Sequence, residues 1–165
     1  MKKLWAPWRM AYIGGKDEKT EDGCVFCVRD LQDEDRAKLI LHRGEYAFVI
    51  MNKYPYSNGH LMVAPYRHLA ELNDLSDDEA LEMHHLLVLC RNVLEEECSP
   101  QGFNIGMNLG QVAGAGVADH LHLHIVPRWS GDTNFMPIFA DVRVIPEHLD
   151  ATYEYLALAF SRRFP

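Results

Sequence analysis

The chain has 165 residues, of which 48% are hydrophobic and 24% charged, and its formal net charge is −8 with neutral histidine. This composition is typical of a globular protein and excludes an intrinsically disordered chain. The sequence has no apolar run of 18 residues, so we expect no membrane association, and its negative charge argues against a general nucleic-acid binder while permitting a small anionic ligand.

The first 36 residues are predicted to be irregular. Two lysines near the N-terminus are not followed by an apolar core or a small-residue cleavage site, so we expect no signal peptide and a cytoplasmic protein. The aromatic residues Trp5, Trp8 and Tyr12 either pack on their own domain or cover a partner. Cys24 and Cys27 form a C-x-x-C pair, which by itself fits half of a zinc site, a redox pair or two buried thiols.

The middle of the chain predicts a hairpin followed by a long helix. Residues 45–51 and 60–64 are β-prone and are separated by turn residues. Ser76 and Glu79 fit a capping box, and the helix is predicted to extend to Cys98. Its apolar stripe is predicted to consist of Leu81, Met83, Leu86, Leu87, Val88, Cys90, Val93 and Leu94. Cys90 and Cys98 are interpreted as packing residues, because free cysteine behaves as a small hydrophobe.

The C-terminal part predicts two more strands and a second helix. The strands cover residues 103–109 and 120–126, with a glycine-rich loop over 110–116 between them. Pro146 suits the first position of a helix through Phe164. Short connections favour antiparallel pairing, so the order of elements predicts an α+β fold with helices on one face of a sheet. We expect one domain over 1–165, with an N-terminal arm over 1–23 and a C-terminal helix over 146–164.

Three histidines alternate with apolar residues in the last predicted strand. Side chains of a strand alternate between faces, so His120, His122 and His124 should share one face. Packing does not require such a row. Three imidazoles can hold a catalytic zinc, or one can act as a nucleophile while the others bind phosphate. The spacing does not decide between these chemistries, and the neighbouring glycine loop, which could offer N–H groups to a phosphate, is weak evidence.

The H-φ-H-φ-H-φ-φ pattern of residues 120–126 resembles the signature of the histidine triad (HIT) family. The G-H-x-x-V-x-P segment over residues 59–65 and the strand over 103–110 also fit that family. The L-W-A-P-W-R-M arm and the V-P-R-W segment are similar to the bacterial branch with diadenosine tetraphosphate phosphorylase or hydrolase activity. The resemblance implies a HIT-like fold with an antiparallel sheet of about five strands and two helices, continuous across a homodimer.

The resemblance also implies a reaction. Family members cleave a nucleoside α-phosphate from a leaving group, so His122 is expected to form a nucleotidyl-imidazole intermediate with water or phosphate as acceptor. His124 should contact phosphate oxygens, and His60 and His120 should complete the catalytic group. The residues expected to bind the substrate are Asn52 at the ribose, Asn108 near the phosphates, Gly114 and Gly116 in the loop, and Trp129 at the end of the cleft.

Two positions refine this expectation. Many family members carry Ser or Gln four residues before the first triad histidine, whereas this chain carries Gly116, so a backbone N–H or a water would make the leaving-group contact. His124 occupies the position at which the transferase branch has Gln, which argues against a hexose-1-phosphate uridylyltransferase.

The resemblance further implies a structural zinc held by Cys24, Cys27, His68 and His120. Such a Cys₂His₂ set leaves no open position. Magnesium is expected to accompany the polyphosphate, and a small-molecule nucleotide is the expected partner. Three other functions remain open: a hydrolase of nucleoside phosphoramidates or adenylates, a His₃ zinc hydrolase, and a non-catalytic nucleotide-binding module.

Overall fold

A computed structural model describes residues 24–132 and 148–163. The N-terminal arm over 1–23, with Trp5, Trp8 and Tyr12, lies outside the described residues. So do positions 146, 147 and 164 of the predicted C-terminal helix. None of the described helices combines the length and the apolar character needed to cross a bilayer.

Five strands of the described chain form one antiparallel sheet. They are β1 (Ile40–Arg43), β2 (Ala47–Met51), β3 (Leu61–Pro65), β4 (Gly102–Met107) and β5 (Leu123–Arg128). Their order across the sheet is β1-β2-β3-β5-β4. This places β5, which continues the histidine motif, between β3 and β4, and it confirms the predicted α+β fold. Continuation of the sheet into a second copy stays a prediction.

Helical segments of the described chain are α1 (Asp35–Lys38), α2 (Asp77–Cys98) and α3 (Leu149–Ser161), together with three short 3₁₀ turns. The capping box of α2 is confirmed: the Ser76 side chain accepts from the Glu79 N–H, and the Glu79 carboxylate accepts from the Ser76 N–H. Both long helices pack on one face of the sheet, here called the helix face. Their core with the strands includes Val49, Met51, Leu61, Val63, Ile125, Leu94, Leu156 and Phe160.

The opposite face, here called the histidine face, carries a smaller apolar cluster. Its buried members are Phe26, Val28, Ile40, Phe48, Ile50, Met62 and Ala64. Because Met62 pairs with His124 across β3 and β5, and paired residues share a face, His124 lies on this side.

Four details differ from the sequence-based expectations. The C-terminal helix, predicted over 146–164, begins at Leu149 because His148 is an extended N-cap residue, and it ends at Ser161. Strand β1 was not predicted, because its four residues are too few for an alternating pattern. Strand β5 begins at Leu123 rather than at His120, since the Leu121 N–H donates to the Leu69 carbonyl at 2.6 Å instead of to a neighbouring strand. Leu81 and Val88, assigned to the apolar stripe of α2, are exposed. The buried stripe is narrower than predicted.

Glu79 does more than cap α2. It is 3% exposed, and the Arg67 guanidinium donates to both of its carboxylate oxygens, at 2.6 and 2.5 Å. The hydrogen bonds from Arg67 hold the pKa of Glu79 at about 2 instead of 4.5. Since Arg67 precedes His68, this ion pair between the exposed Arg67 and the buried Glu79 also restrains the segment that carries His68 to the candidate metal site.

We expect the Arg67–Glu79 pair to make the free energy of unfolding depend on pH in the acid range. The folded-state pKa of Glu79 lies below its ordinary value, so the stabilisation is complete above about pH 5 and is lost as the pH falls towards 2, by up to ~3 kcal/mol. Chemical denaturation at several pH values measures it. Glu79→Gln should flatten the decline over this range. Glu95→Gln, which removes an exposed i,i+4 partner of Arg91, is the matched control and should leave the profile unchanged; equal profiles for all three proteins would contradict the assignment.

Candidate active site and metal site

One ring nitrogen of His122 is held by a hydrogen bond, and the other carries a lone pair that is not used in that bond. Its Nδ1 lies 2.8 Å from the His120 carbonyl oxygen. Because a carbonyl only accepts, Nδ1 carries the proton, and the lone pair of the neutral ring is on Nε2. His122 is 5% exposed, and burial lowers its pKa. The imidazole is therefore neutral near pH 7, which is the state in which it can act as a nucleophile.

A chain of hydrogen bonds runs from the Tyr56 N–H through His60 to His124, beside the His122 ring. The Tyr56 N–H donates to His60 Nδ1 at 3.1 Å, so the proton of a neutral His60 is on Nε2. That nitrogen lies 3.0 Å from His124 Nδ1 and donates to it, which leaves the His124 proton on Nε2. The His122 and His124 rings meet edge to face with centroids 4.8 Å apart. The chain thus places the Nε2–H of His124 next to the His122 ring, where it could donate to a bound anion.

The His120 side chain points away from the rings of His122 and His124. Its Nε2 donates to the Pro65 carbonyl at 2.9 Å, and its Nδ1 faces the Cys24 Sγ at 3.4 Å. The three imidazoles of the motif therefore do not direct three nitrogens towards one point. This geometry contradicts the His₃ zinc hypothesis, because such a site needs all three rings to converge on the ion.

Four ligand-bearing side chains meet at the edge of the histidine face: Cys24, Cys27, His68 and His120 offer atoms that lie within 4.8 Å of one another. The Cys27 Sγ is 3.5 Å from His68 Nδ1 and 4.0 Å from His120 Nδ1. Tetrahedral zinc with bonds of roughly 2.0–2.3 Å separates its ligand atoms by about 3.3–3.8 Å. The 3.4 and 3.5 Å separations, of Cys24 from His120 and of Cys27 from His68, lie in this range, and the wider ones, up to 4.8 Å, would close by about 1 Å around a bound ion. The Cys₂His₂ donor set therefore fits zinc, with all four positions filled by protein.

The same cysteines do not resemble a reactive redox pair. Burial, together with the neighbouring Cys27, raises the pKa of the Cys24 thiol to about 11. Redox-active C-x-x-C thiols have a lowered pKa, because the thiolate is the reactive form. A divalent cation would reverse this balance by favouring the thiolate. The chemistry of the pair thus favours a metal over a disulfide.

The predicted substrate-binding residues are placed as follows. Asn52 lies beside the histidines, with its amide nitrogen 3.3 Å from His60 Nδ1 and its amide oxygen accepting the Tyr54 N–H. Asn108 directly follows β4 and donates to the Gly114 carbonyl at 3.4 Å. These contacts bring Asn52 to the histidines and tie Asn108 to the glycine loop. Their roles towards a substrate stay predictions.

The glycine loop is shaped by its own hydrogen bonds. Gly110 and Gly114 have φ values of +77° and +89°, which side chains rarely adopt. The N–H groups of residues 113, 114 and 115 donate to the carbonyls of Gly110 and Gln111. Those three amides are committed within the loop, so a phosphate contact here requires other groups. Gly116 lies in the turn that leads from this loop to His120.

Trp129 lies on the other side of the sheet from His122. It follows β5, and its indole N–H donates to the Cys98 carbonyl at the end of α2 at 3.2 Å. It lines an open cavity of about 410 Å³ with Glu97, Tyr155 and Asn58. The structure therefore does not bring Trp129 to the histidines of the same chain, and its closing of the cleft stays a prediction.

Two contacts at the site were not predicted from the sequence. The Phe26 ring stacks on the His122 ring, with centroids 4.7 Å apart and planes 30° from parallel. The Tyr56 N–H fixes the tautomer of His60. For Phe26, a signal was present, since it lies inside the C-x-x-C pair whose segment must approach the histidine motif. No comparable signal marks Tyr56.

Comparison with known proteins agrees with this geometry. The model of the HIT domain matches residues 32–131. The AP-4-A phosphorylase of Mycobacterium tuberculosis is 38% identical, and the alignment covers 99% of this chain and 86% of the relative. A hypothetical histidine triad nucleotide-binding protein from Sulfolobus tokodaii is 27% identical with a TM-score of 0.63, over 84% of this chain and 90% of that one.

A zinc-bound histidine triad family protein from Mycobacterium smegmatis has the same fold at 23% identity, with a TM-score of 0.65 over 85% of this chain and 94% of that one. The family model spans well over half of this chain, and its matched residues contain the strand, loop and histidine motif described above. The chain belongs to the HIT domain family.

Proposed function

We propose that this protein is an enzyme that cleaves dinucleoside polyphosphates of the diadenosine tetraphosphate type at an α-phosphate. The observation that carries the proposal is the state of His122: a buried, neutral imidazole with Nδ1–H fixed on a carbonyl and the Nε2 lone pair available. The similarity to an AP-4-A phosphorylase over 99% of the chain supports this substrate class.

The reaction has two balanced steps. In the first, the His122 Nε2 lone pair bonds to the α-phosphorus, and the bond to the bridging oxygen breaks with its electron pair on the leaving nucleotide. His124, with its proton on Nε2, donates a hydrogen bond to a phosphate oxygen as negative charge develops there. In the second, water or inorganic phosphate bonds to the α-phosphorus, the N–P electron pair returns to His122, and water, if it is the acceptor, releases one proton.

Product analysis tests the proposed substrate and identifies the acceptor. The pure protein is incubated with diadenosine tetraphosphate, with and without inorganic phosphate, and the products are identified by mass. ATP and ADP formed only with phosphate would make it a phosphorylase, and ATP and AMP formed without phosphate would make it a hydrolase. No cleavage in either mixture would overturn the proposal and favour nucleoside phosphoramidates or adenylates as substrates, or a non-catalytic nucleotide-binding module.

We further propose a structural zinc at Cys24, Cys27, His68 and His120. The fit of the four donor atoms to a tetrahedral ion supports it. When bound, the ion supplies a cross-link between the segment at residues 24–27 and the histidine motif. Magnesium belongs to the substrate in this proposal, where it would neutralise part of the polyphosphate charge.

We also propose that two copies pair through β4. This strand is an edge of the sheet, and its central residues Asn104, Ile105 and Gly106 are exposed. An exposed edge is a ready template for strand pairing. Sedimentation should give twice the chain mass of 18.9 kDa. Ile105→Glu should shift it to one chain mass by placing like charges across the new pair, whereas Leu158→Glu, at an exposed position of α3, should not. A wild-type protein of one chain mass would contradict the proposal.

A further inference from the structure

Phe26 makes the one ring-stacking contact that the described residues provide to a face of the His122 imidazole. Both side chains are almost fully buried, at 2% and 5% exposure. The nucleophilic lone pair of an imidazole lies in the plane of its ring. A ring stacked on the face therefore restricts the orientation of His122 without blocking Nε2.

Two other contacts complete the restraint. The Nδ1–H bond to the His120 carbonyl fixes one edge of the ring, and the His124 ring meets it edge to face. Phe26 also approaches the His120 ring, at 5.3 Å between centroids. The segment that carries Phe26 is held in turn, since Cys24 and Cys27 on either side of it lie against His120.

The charge of the covalent intermediate gives the stacking a chemical consequence. His122 keeps its Nδ1 proton when Nε2 bonds to phosphorus, so the ring becomes a cation. A cation within about 6 Å of an aromatic face is attracted by the negative face of that ring. This attraction is absent from the neutral resting state and grows as the N–P bond forms, so it favours the transition state over the ground state.

We propose that Phe26 is a positioning residue, which holds the His122 imidazole for attack and stabilises the cationic nucleotidyl-imidazole. This inference rests on the proposed function for its catalytic part. Its positional part concerns the resting protein alone. The two parts are measured separately, so that failure of the proposed reaction is distinguishable from failure of the inference.

The test compares wild type with Phe26→Leu, which keeps an apolar side chain of similar volume but removes the flat face. Val28→Ala is the matched control: Val28 is 1% exposed and belongs to the same apolar cluster, but has no ring to stack on His122. Zinc content and thermal midpoint are recorded for each protein. Diadenosine tetraphosphate is the substrate for kcat and KM. Long-range ¹H–¹⁵N spectra of the resting proteins report the His122 tautomer.

We expect Phe26→Leu to lower kcat about tenfold with KM changed less than about threefold, since cation–π stabilisation of this kind corresponds to roughly 2- to 30-fold in rate. The spectra should change from one Nδ1–H tautomer to a mixture. Val28→Ala should change neither. An unchanged kcat and tautomer, a rise in KM alone, or an equal loss of kcat in Val28→Ala would overturn the inference. An inert wild type with the predicted tautomer change would refute the reaction and leave the positional role standing.

Discussion

Replacing His122 with alanine should reduce turnover of diadenosine tetraphosphate by about 10³-fold or more, because it removes the proposed nucleophile that forms the covalent intermediate. The His124–His60–Tyr56 chain does not pass through His122, so nucleotide binding should survive within several-fold. Steady-state kinetics and equilibrium binding of the substrate measure the two effects.

The burial of His122 also predicts a loss of stability in the His122→Ala variant. A residue that is 5% exposed and stacked on Phe26 leaves space when truncated, so a loss of roughly 1–3 kcal/mol in unfolding free energy is expected, more than at a surface position. His84→Ala, on the exposed side of α2, is the matched control and should retain full turnover. A His122→Ala protein that is folded and turns over within tenfold of wild type would refute the nucleophile assignment.

The second large effect is expected at the metal site. Cys24→Ser removes one of four donors, so zinc content should fall from about one ion per chain towards zero. Stability gained from metal binding should fall with it, by about 2–5 kcal/mol, or a thermal midpoint lower by roughly 5–20 °C. Metal analysis and thermal unfolding measure both quantities.

Cys98→Ser is the control for this variant, because Cys98 lies outside the four-residue cluster and contacts the Tyr155 hydroxyl. It should keep its zinc. A wild-type protein that purifies without zinc, and that is no more stable than Cys24→Ser, would contradict the structural-metal proposal. It would leave the chemistry proposed for His122 unaffected.

Local patterns were sufficient to predict most of the elements. The capping box located the start of α2, and the period-two pattern placed the histidines on one face. The start of β5 could not be predicted in this way, because it depends on a hydrogen bond from Leu121 to Leu69, 52 residues earlier in the chain. The width of the buried stripe of α2 likewise depends on which of its positions the sheet covers.

The candidate site was also predicted only in part, because motifs name residues but do not contain their orientation. The resemblance supplied the identities of His60, His122 and His124 and of the four metal donors, and the structure brings these residues together in two adjacent groups. What no motif contained was orientation: that His120 turns towards the cysteines, that Trp129 lies beyond the sheet, and that Phe26 covers His122. These follow from tertiary packing between distant segments.

The most direct test of this account is to trap the covalent intermediate. The enzyme is mixed with diadenosine tetraphosphate, quenched within one turnover, digested under conditions that preserve the N–P bond, and mapped by mass spectrometry. The account predicts one adenylyl group on His122, which forms at least as fast as kcat and is absent from His122→Ala. Turnover without any adenylated histidine, or with the group on His60 or His124, would contradict it.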